Sequence, residues 1–370
     1  MATDSTAPLT VLQLLPALDG GGVERGTLEI ADALVAAGHD SHVSSAGGRL
    51  VAALEAGGST HHELPLGEKH PRVVRQISAL RKLCAEVRPT VVHARSRLPA
   101  WIAWRALRRL EPRPAFVTTL HGLNSVSRYS RIMTRGDRVI AVSEAARDYW
   151  REHYPDLDPD RLELIPRGID PAAFPFGHRP DAPWVERFRE DTGFAPEHRV
   201  VCLPGRVTQN KGAGCLVEAL ARLPDDVRGL LVGGGSQREI ARVLDQARAA
   251  GLGARLVYLP ARADIRDVLA FSDIVLSLSL KPESFGRTVA EALALGRPVT
   301  GFDHGGVGEI LGRLYPEGRV APGNTRALAA TLDRLLADPP PVPNEQPWRL
   351  DEMCARTLAL YRSLAGRGRK

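Results

Sequence analysis

The chain has 370 residues, 44% apolar and 25% charged, the proportions of a globular protein long enough for two domains. No apolar run approaches the ~18 residues a membrane span needs, and Met1–Pro8 lacks the basic start of a secretory signal. The four cysteines (Cys84, Cys202, Cys215, Cys354) are scattered with no Cys-x-x-Cys pair, which argues against zinc and for buried thiols in a reducing cytoplasm.

In chain order, Thr10–Leu15 reads as a buried strand, the glycines Gly20, Gly21 and Gly22 as a loop, and Leu28, Ile30, Ala31, Leu34 and Val35 as a helical stripe ending at Gly38. The glycines allow backbone amides to approach a ligand. A dinucleotide fingerprint fails here, because the third glycine position is Arg25 and no acid ends the second strand near Ser44–Ala46. Thr90–His93 and a helix over 100–109 follow. Phe116–Leu120 then precedes a loop, and Arg138–Val142 precedes a helix capped by Ser143. Alternation of this kind predicts a parallel sheet covered by helices. Its strand ends carry His93-Ala94-Arg95-Ser96-Arg97, where Arg95 and Arg97 suit acceptor phosphates or carboxylates. They also carry the polar, basic loop of Asn124, Ser125, Arg128 and Tyr129.

Charge is uneven. Residues 70–138 hold 15 Arg or Lys against 3 Asp or Glu, whereas the whole chain is only +6. So basic a segment points to an anionic partner such as a phosphorylated acceptor or membrane headgroups. Nucleic acid is disfavoured, since no aromatic stacking pattern accompanies the charge.

Seven prolines and glycines between Pro166 and Pro183 interrupt the pattern, and 171–196 is expected to be a linker between domains 1–170 and 197–345. The second series of strands starts at Arg199–Pro204 and runs through 229–233, 255–259, 274–278 and 298–301. Gly205-Arg206-Val207-Thr208-Gln209-Asn210-Lys211-Gly212 follows its first strand. Arg206 and Lys211 would project from that strand's carboxyl end and neutralise a diphosphate leaving group. Gly233-Gly234-Gly235 ends the next strand, with Gly234 free to approach a ligand. After a proline-rich break at 339–347, a last amphipathic segment is expected over 346–370.

The most informative string is Pro282-Glu283-Ser284-Phe285-Gly286-Arg287-Thr288-Val289-Ala290-Glu291. It follows a buried strand and opens an Ala/Leu-rich helix. The amides from Gly286 to Val289 are helix-start donors aimed where an anion binds. A carboxylate on each side of a phosphate site repels phosphate unless each has a hydroxyl of its own to hold. A nucleotide sugar meets that condition, with Glu283 and Glu291 dividing sugar and ribose hydroxyls.

This string resembles the donor signature of the family 4 glycosyltransferases of the GT-B fold, two glutamates separated by seven residues. The resemblance continues through most of the chain: Gly20–Glu24 is similar to the family's Gly-Gly-x-Glu loop, Gly205-Arg206 with Lys211-Gly212 to its donor loop, and 302–309 to its Gly-Gly-x-x-Glu element. It implies an α/β protein with two Rossmann-like doubly wound domains facing across a cleft, and a final helix returning to the first domain. It also implies a hexosyltransferase that retains anomeric configuration, of the type acting in lipopolysaccharide or capsule assembly. By the same match His121 contacts the donor sugar, Arg206 and Lys211 bind diphosphate, Ala261 and Arg262 lie at the base, and Ser284, Phe285, Gly286, Arg287 and Thr288 line the donor site. The expected donor is a UDP-sugar, and with no Asp-x-Asp motif neither a metal nor another cofactor is expected. The expected acceptor is an anionic or lipid-linked glycan, with possible peripheral contact at an anionic inner membrane. Arg167 departs from the asparagine common in the family, and Ser284 and Arg287 fall where family members vary. An epimerase-type enzyme on the same fold and a non-catalytic nucleotide-sugar-binding protein are the alternatives.

Overall fold

The computed structural model describes residues 7–67 and 73–365. The polar start Met1–Thr6 and the last five residues of the expected terminal segment lie outside them. The chain forms two compact units, one of residues 1–168 with 350–370 and one of 169–349.

The first unit contains β1 (Thr10–Leu14), α1 (Gly22–Ala36), β2 (Asp40–Ser45), α2 (Val51–Ala56), β3 (Thr60–Glu63), α3 (Val73–Val87), β4 (Val91–Ala94), α4 (Arg97–Leu107), β5 (Ala115–Leu120), β6 (Arg138–Ala141), α5 (Glu144–His153) and β7 (Leu162–Leu164). The strands form one parallel sheet in the order β3-β2-β1-β4-β5-β6-β7. Alternate residues enter different cores: Leu12, Leu14, Val92 and Phe116 pack in one, Val11, Val91, Val117 and Ile140 in the other. A parallel strand buried on both faces needs such a near-continuous apolar run. Ser143 caps α5 as the sequence requires, accepting from the Ala146 amide at 2.9 Å.

The second unit contains α6 (Ala182–Thr192), β8 (Arg199–Pro204), α7 (Ala213–Leu220), β9 (Val227–Val232), α8 (Gln237–Ala249), β10 (Leu256–Leu259), α9 (Ile265–Phe271), β11 (Ile274–Ser277), α10 (Arg287–Ala294), β12 (Val299–Phe302), α11 (Gly305–Leu314), β13 (Arg319–Val320) and α12 (Thr325–Ala337). Its parallel sheet is ordered β10-β9-β8-β11-β12-β13. Strand order therefore reverses between β1 and β4 in the first unit and between β8 and β11 in the second. Ligands of open α/β sheets bind at such reversal points, outside the carboxyl ends of the strands. The fold class is the one the resemblance implied: α/β, with two Rossmann-like parallel-sheet domains.

One expected boundary needs correction. The presumed linker 171–196 contains α6, capped by Asp181 with Pro183 in its first turn and ended by Gly193 at φ 71°. Phe188 and Phe194 are buried in the core of the second unit, and Trp184 stacks on Phe188 at 4.6 Å. Proline in a first helical turn forfeits no hydrogen bond, so Pro183 starts this helix instead of breaking the chain. At the other end, α13 (Leu350–Ala365) belongs to the first unit, where Leu358, Leu360, Tyr361 and Leu364 join the core of Leu9 and Val11. Trp348, just before α13, packs edge-on against Phe285 in the second unit.

Six histidines of the first unit, His39, His42, His61, His62, His93 and His121, are held below the ordinary histidine value, each primarily by burial. Among them His42 and His62 face each other at 3.0 Å across β2 and β3. The unfolded chain takes up protons at these sites before the folded one does. Their contribution to stability is thus complete above pH ~6.5 and is lost as pH falls through that value. Thermal melts should show a melting temperature several degrees lower at pH 5.5 than at pH 7.5, and a His42→Asn/His62→Asn variant should show a smaller drop.

Candidate active site

In the second unit the reversal point brings together the loops after β8 and β11. After β8 the chain turns at Gly205 and Val207, whose amides donate to the carbonyls of Val232 and Gly234. Thr208 caps the short turn Gln209–Lys211. Gly212 follows at φ 75°, and a Cβ there would lie 2.0 Å from the Leu278 carbonyl oxygen. The Leu280 amide donates to the Asn210 carbonyl at 2.7 Å and joins the two loops.

This joint sets Lys211 beside Glu283. Lys211 Nζ lies 2.7 Å from Glu283 Oε1, which also accepts a close hydrogen bond from Ser279 Oγ. Both side chains of the ion pair remain about 30% exposed, 31% for Lys211 and 28% for Glu283. Behind them, the Glu283 carbonyl accepts from the Gly306 amide at 2.8 Å. His304 Nε2 lies 2.8 Å from the Ser279 carbonyl, which makes Nε2 the protonated nitrogen. Gly305 and Gly306 permit this approach, since a Cβ on either would fall within 2.4 Å of loop backbone. The 302–309 segment therefore buttresses the Glu283 loop from behind.

Gly286 caps α10 at φ 95°. Arg287 and Thr288 occupy its first turn, partly exposed beside Ser284. Two of the predicted donor-site residues are buried at this helix. Glu291, read as open to a ribose, is 5% exposed, and its Oε1 accepts from Arg287 Nε at 2.9 Å. Phe285 is buried, its ring against Trp348. Around the rim, Arg206, Gly205, Gly234 and Ala261 are exposed. Arg262 bonds Asp264 at 2.8 and 2.7 Å, and Asp264 also accepts from Trp184 Nε1. That side chain is committed to structure, leaving the backbone of 261–262 as the part available to a base.

In the first unit, the loops after β1, β4 and β5 carry the predicted residues. Gly21 and Gly22 open α1 and are exposed. His121 follows β5, with Nδ1 2.8 Å from Arg167 Nη2. Burial, then the charges of Arg167 and Arg95, holds His121 well below the ordinary histidine value. Arg95 corrects a prediction: it is 4% exposed, and its guanidinium bonds Gln13 Oε1, with Nε at 2.8 Å. It is a buried brace, not an open contact for an acceptor. Below it, His93 bridges the Tyr361 hydroxyl at 2.6 Å and the Thr119 hydroxyl at 2.7 Å. Arg97 donates to Ser130 Oγ at 3.2 Å and covers the Tyr129 ring. Asn124 is half-buried, its carbonyl accepting from Tyr149, and Arg128 is exposed. No group of three or more His, Cys, Asp or Glu side chains able to hold a metal occurs among the described residues.

The geometry that sequence reasoning missed lies at Arg167 and at the Arg287–Glu291 pair. The second had a signal, opposite charges four apart on a helix. The first had none, since its partners Gly22 and His121 are 145 and 46 residues away.

Residues 20–173 match the family described as Glycosyltransferase Family 4, and residues 185–352 match Glycosyl transferases group 1. The first match is thus followed directly by the second, and between them they span most of the chain. Among curated relatives, the chain is 31% identical over 220 residues to a D-inositol 3-phosphate glycosyltransferase of Rhodococcus opacus, covering 56% of the chain and 47% of the relative. It is 32% identical over 248 residues to a 2-deoxystreptamine glucosyltransferase of Streptomyces kanamyceticus, covering 62% and 59%. It thus spans about half the length of the curated relatives it matches. Among solved structures, a glycosyltransferase from Rickettsia africae superposes with TM-score 0.85 at 28% identity, covering 97% of this chain and 99% of that one. Anabaena HepE, solved with UDP-glucose, superposes with TM-score 0.74 at 22% identity over 97% and 98%, which shows the shared fold.

Proposed function

We propose that the chain transfers a hexosyl unit from a nucleotide sugar, with a UDP-sugar as the first candidate, to an anionic glycan or lipid-linked acceptor, with retention of configuration. The observation that carries this reading is the Lys211–Glu283–Ser279 constellation at the reversal point of the second sheet, next to the start of α10. A cation suited to phosphate stands there beside a carboxylate suited to hydroxyls.

In this reading Glu283 orients the sugar and stabilises the positive charge that develops on it as the glycosidic bond breaks. Lys211, Arg206 and the α10 amides take up the charge of the departing nucleoside diphosphate. The diphosphate oxygen freed on that face accepts the acceptor's proton, and the new bond forms on the same face. Arg97, Asn124 and Arg128 are the candidate acceptor contacts. Ser284, Arg287 and Thr288 are the candidates for donor selectivity, and Ala261–Arg262 offer backbone to the base. The UDP assignment draws support from HepE, solved with UDP and with UDP-glucose. An anionic acceptor fits the basic 70–138 segment, and the relatives named for D-inositol 3-phosphate point the same way. No helix among the described residues is long and apolar enough to cross a membrane. The proposed setting is cytoplasmic, with peripheral attachment at the inner membrane and a role in lipopolysaccharide or other surface polysaccharide assembly.

A thermal-shift panel of UDP-, GDP- and ADP-sugars at equal concentration, followed by NMR of the anomeric product, tests donor and stereochemistry together. Stabilisation by none of them sinks the proposal, and an inverted product removes the retaining step. Protein that stays free of anionic liposomes and is inactive on every lipid-linked acceptor removes the membrane setting. Exposed Arg206 gives a further expectation: Arg206→Ala should weaken UDP binding about tenfold by calorimetry, as loss of one charge-assisted contact to phosphate implies.

A further inference from the structure

A guanidinium has five N–H donors, no acceptor, and stays protonated at every working pH. The 2.8 Å contact between Arg167 Nη2 and His121 Nδ1 therefore requires a lone pair on Nδ1. In a neutral imidazole that leaves the proton on Nε2. The same guanidinium donates through Nη1 to the Gly22 carbonyl, so one planar fork ties the start of α1 to the ring at the end of β5. Arg167 is 7% exposed, and the glycine at position 26 makes room for it: a Cβ there would lie 3.1 Å from Nη1.

We propose that Arg167 is a positioning residue that fixes His121 as the neutral Nε2–H tautomer, so that the ring offers a hydrogen-bond donor to a hydroxyl oxygen of the sugar and never a base. The sugar contact rests on the function proposed above; the tautomer does not.

The surroundings of the ring act in the same sense. His121 opens on a pocket of about 30 Å³ whose other titratable side chains are His93, Arg95 and Arg167, with no carboxylate in the lining. From α13 the pocket receives Met353 and Thr357, neither of which carries charge. Glu29 acts on this cluster through Arg95. An imidazolium here would face two guanidinium groups and lose the bond to Arg167.

The test is ¹⁵N-histidine NMR of the full chain, with His121 identified by its loss in His121→Asn. The expected wild-type pattern is a protonated Nε2 and bare Nδ1, unchanged from pH 8 to pH 5.5. In Arg167→Met the Nδ1 lone pair loses its donor and one repelling charge is gone, so the ring should become easier to protonate than in wild type, while burial and Arg95 still hold it below the ordinary value. The variant's kcat/KM should then acquire an acid limb that wild type lacks, falling as pH is lowered below ~5.5 with the neutral fraction of that ring. Arg167→Lys restores a donor and a charge and should abolish that acid limb. Gly26→Ala crowds the guanidinium without removing it and should give an intermediate pattern, which keeps the test open if Arg167→Met folds poorly. A wild-type ring protonated on Nδ1, or titrating near 6.5, overturns the proposal. An Nε2–H ring with kcat/KM indifferent to Arg167→Met at every pH overturns the donor role of His121 and leaves nucleotide-sugar binding in the second unit untouched.

Discussion

Glu283→Gln should lower kcat for sugar transfer by roughly 10²–10³-fold while changing UDP affinity only a few-fold. Glutamine keeps the size of the side chain and still accepts from Ser279. It removes the negative charge that Lys211 Nζ meets at 2.7 Å and that a sugar developing positive charge would meet during transfer. UDP lacks the sugar, so its binding reports the diphosphate and base contacts of Lys211, Arg206, the helix start and 261–262 without the sugar contact of Glu283. The comparison of kcat with UDP affinity therefore separates transition-state loss from binding loss. Steady-state rates with donor and acceptor, set beside calorimetry with UDP, make the measurement. A variant within threefold of wild-type kcat would remove Glu283 from the reaction. A wild-type protein that binds a nucleotide sugar with no turnover would be a binding protein, and one that interconverts the donor sugar without acceptor would be an epimerase.

Gly212→Ala should be among the most damaging single methyls in the second unit. The residue sits at φ 75°, and the added Cβ would lie 2.0 Å from the Leu278 carbonyl oxygen and 2.7 Å from Leu278 Cβ. Left-handed backbone costs alanine ~1–2 kcal/mol, and relieving the overlap adds ~1–3 kcal/mol. A total of about 3 kcal/mol corresponds to a melting temperature lower by roughly 6–12 °C for a unit of this size. Calorimetry checks it. Since Lys211 is the preceding residue, activity should fall further than the unfolded fraction explains. A stable, fully active variant would show that the β8 and β11 loops are not braced against each other as described.

The strands were legible because parallel sheets bury both faces, so runs such as Val11-Leu12 and Ile274-Val275-Leu276 announce themselves without alternation. Helix starts at Ser143 and Gly286 were legible because capping chemistry is local. The error at 171–196 has a local origin too. Prolines were counted as breakers, although Pro183 sits where its missing N–H is harmless and Phe188 supplies an apolar anchor five residues on. At the candidate site, Glu283, Lys211 and His121 could be named from strand-end position and family resemblance. What their neighbours do could not. Arg95 looks like a solvated basic residue until β1 places Gln13 against it, 82 residues away in sequence. Glu291 is the exception, since Arg287 four residues before it on the same helix was a local signal of their pairing. Long-range pairing decides which charges face water, and no short window contains it.

The placement of α13 bears on how the chain comes into being. Tyr361 is completely buried in the first unit, hydrogen-bonded to His93. A ribosome delivers this helix only after the whole of 169–349 has emerged. Domains usually mature in the order of synthesis; here the later-made one is free to finish first. The earlier one must hold an unfilled apolar face and a waiting histidine until residues 350–365 have been made, which makes nascent chains arrested before residue 350 the natural clients of a chaperone.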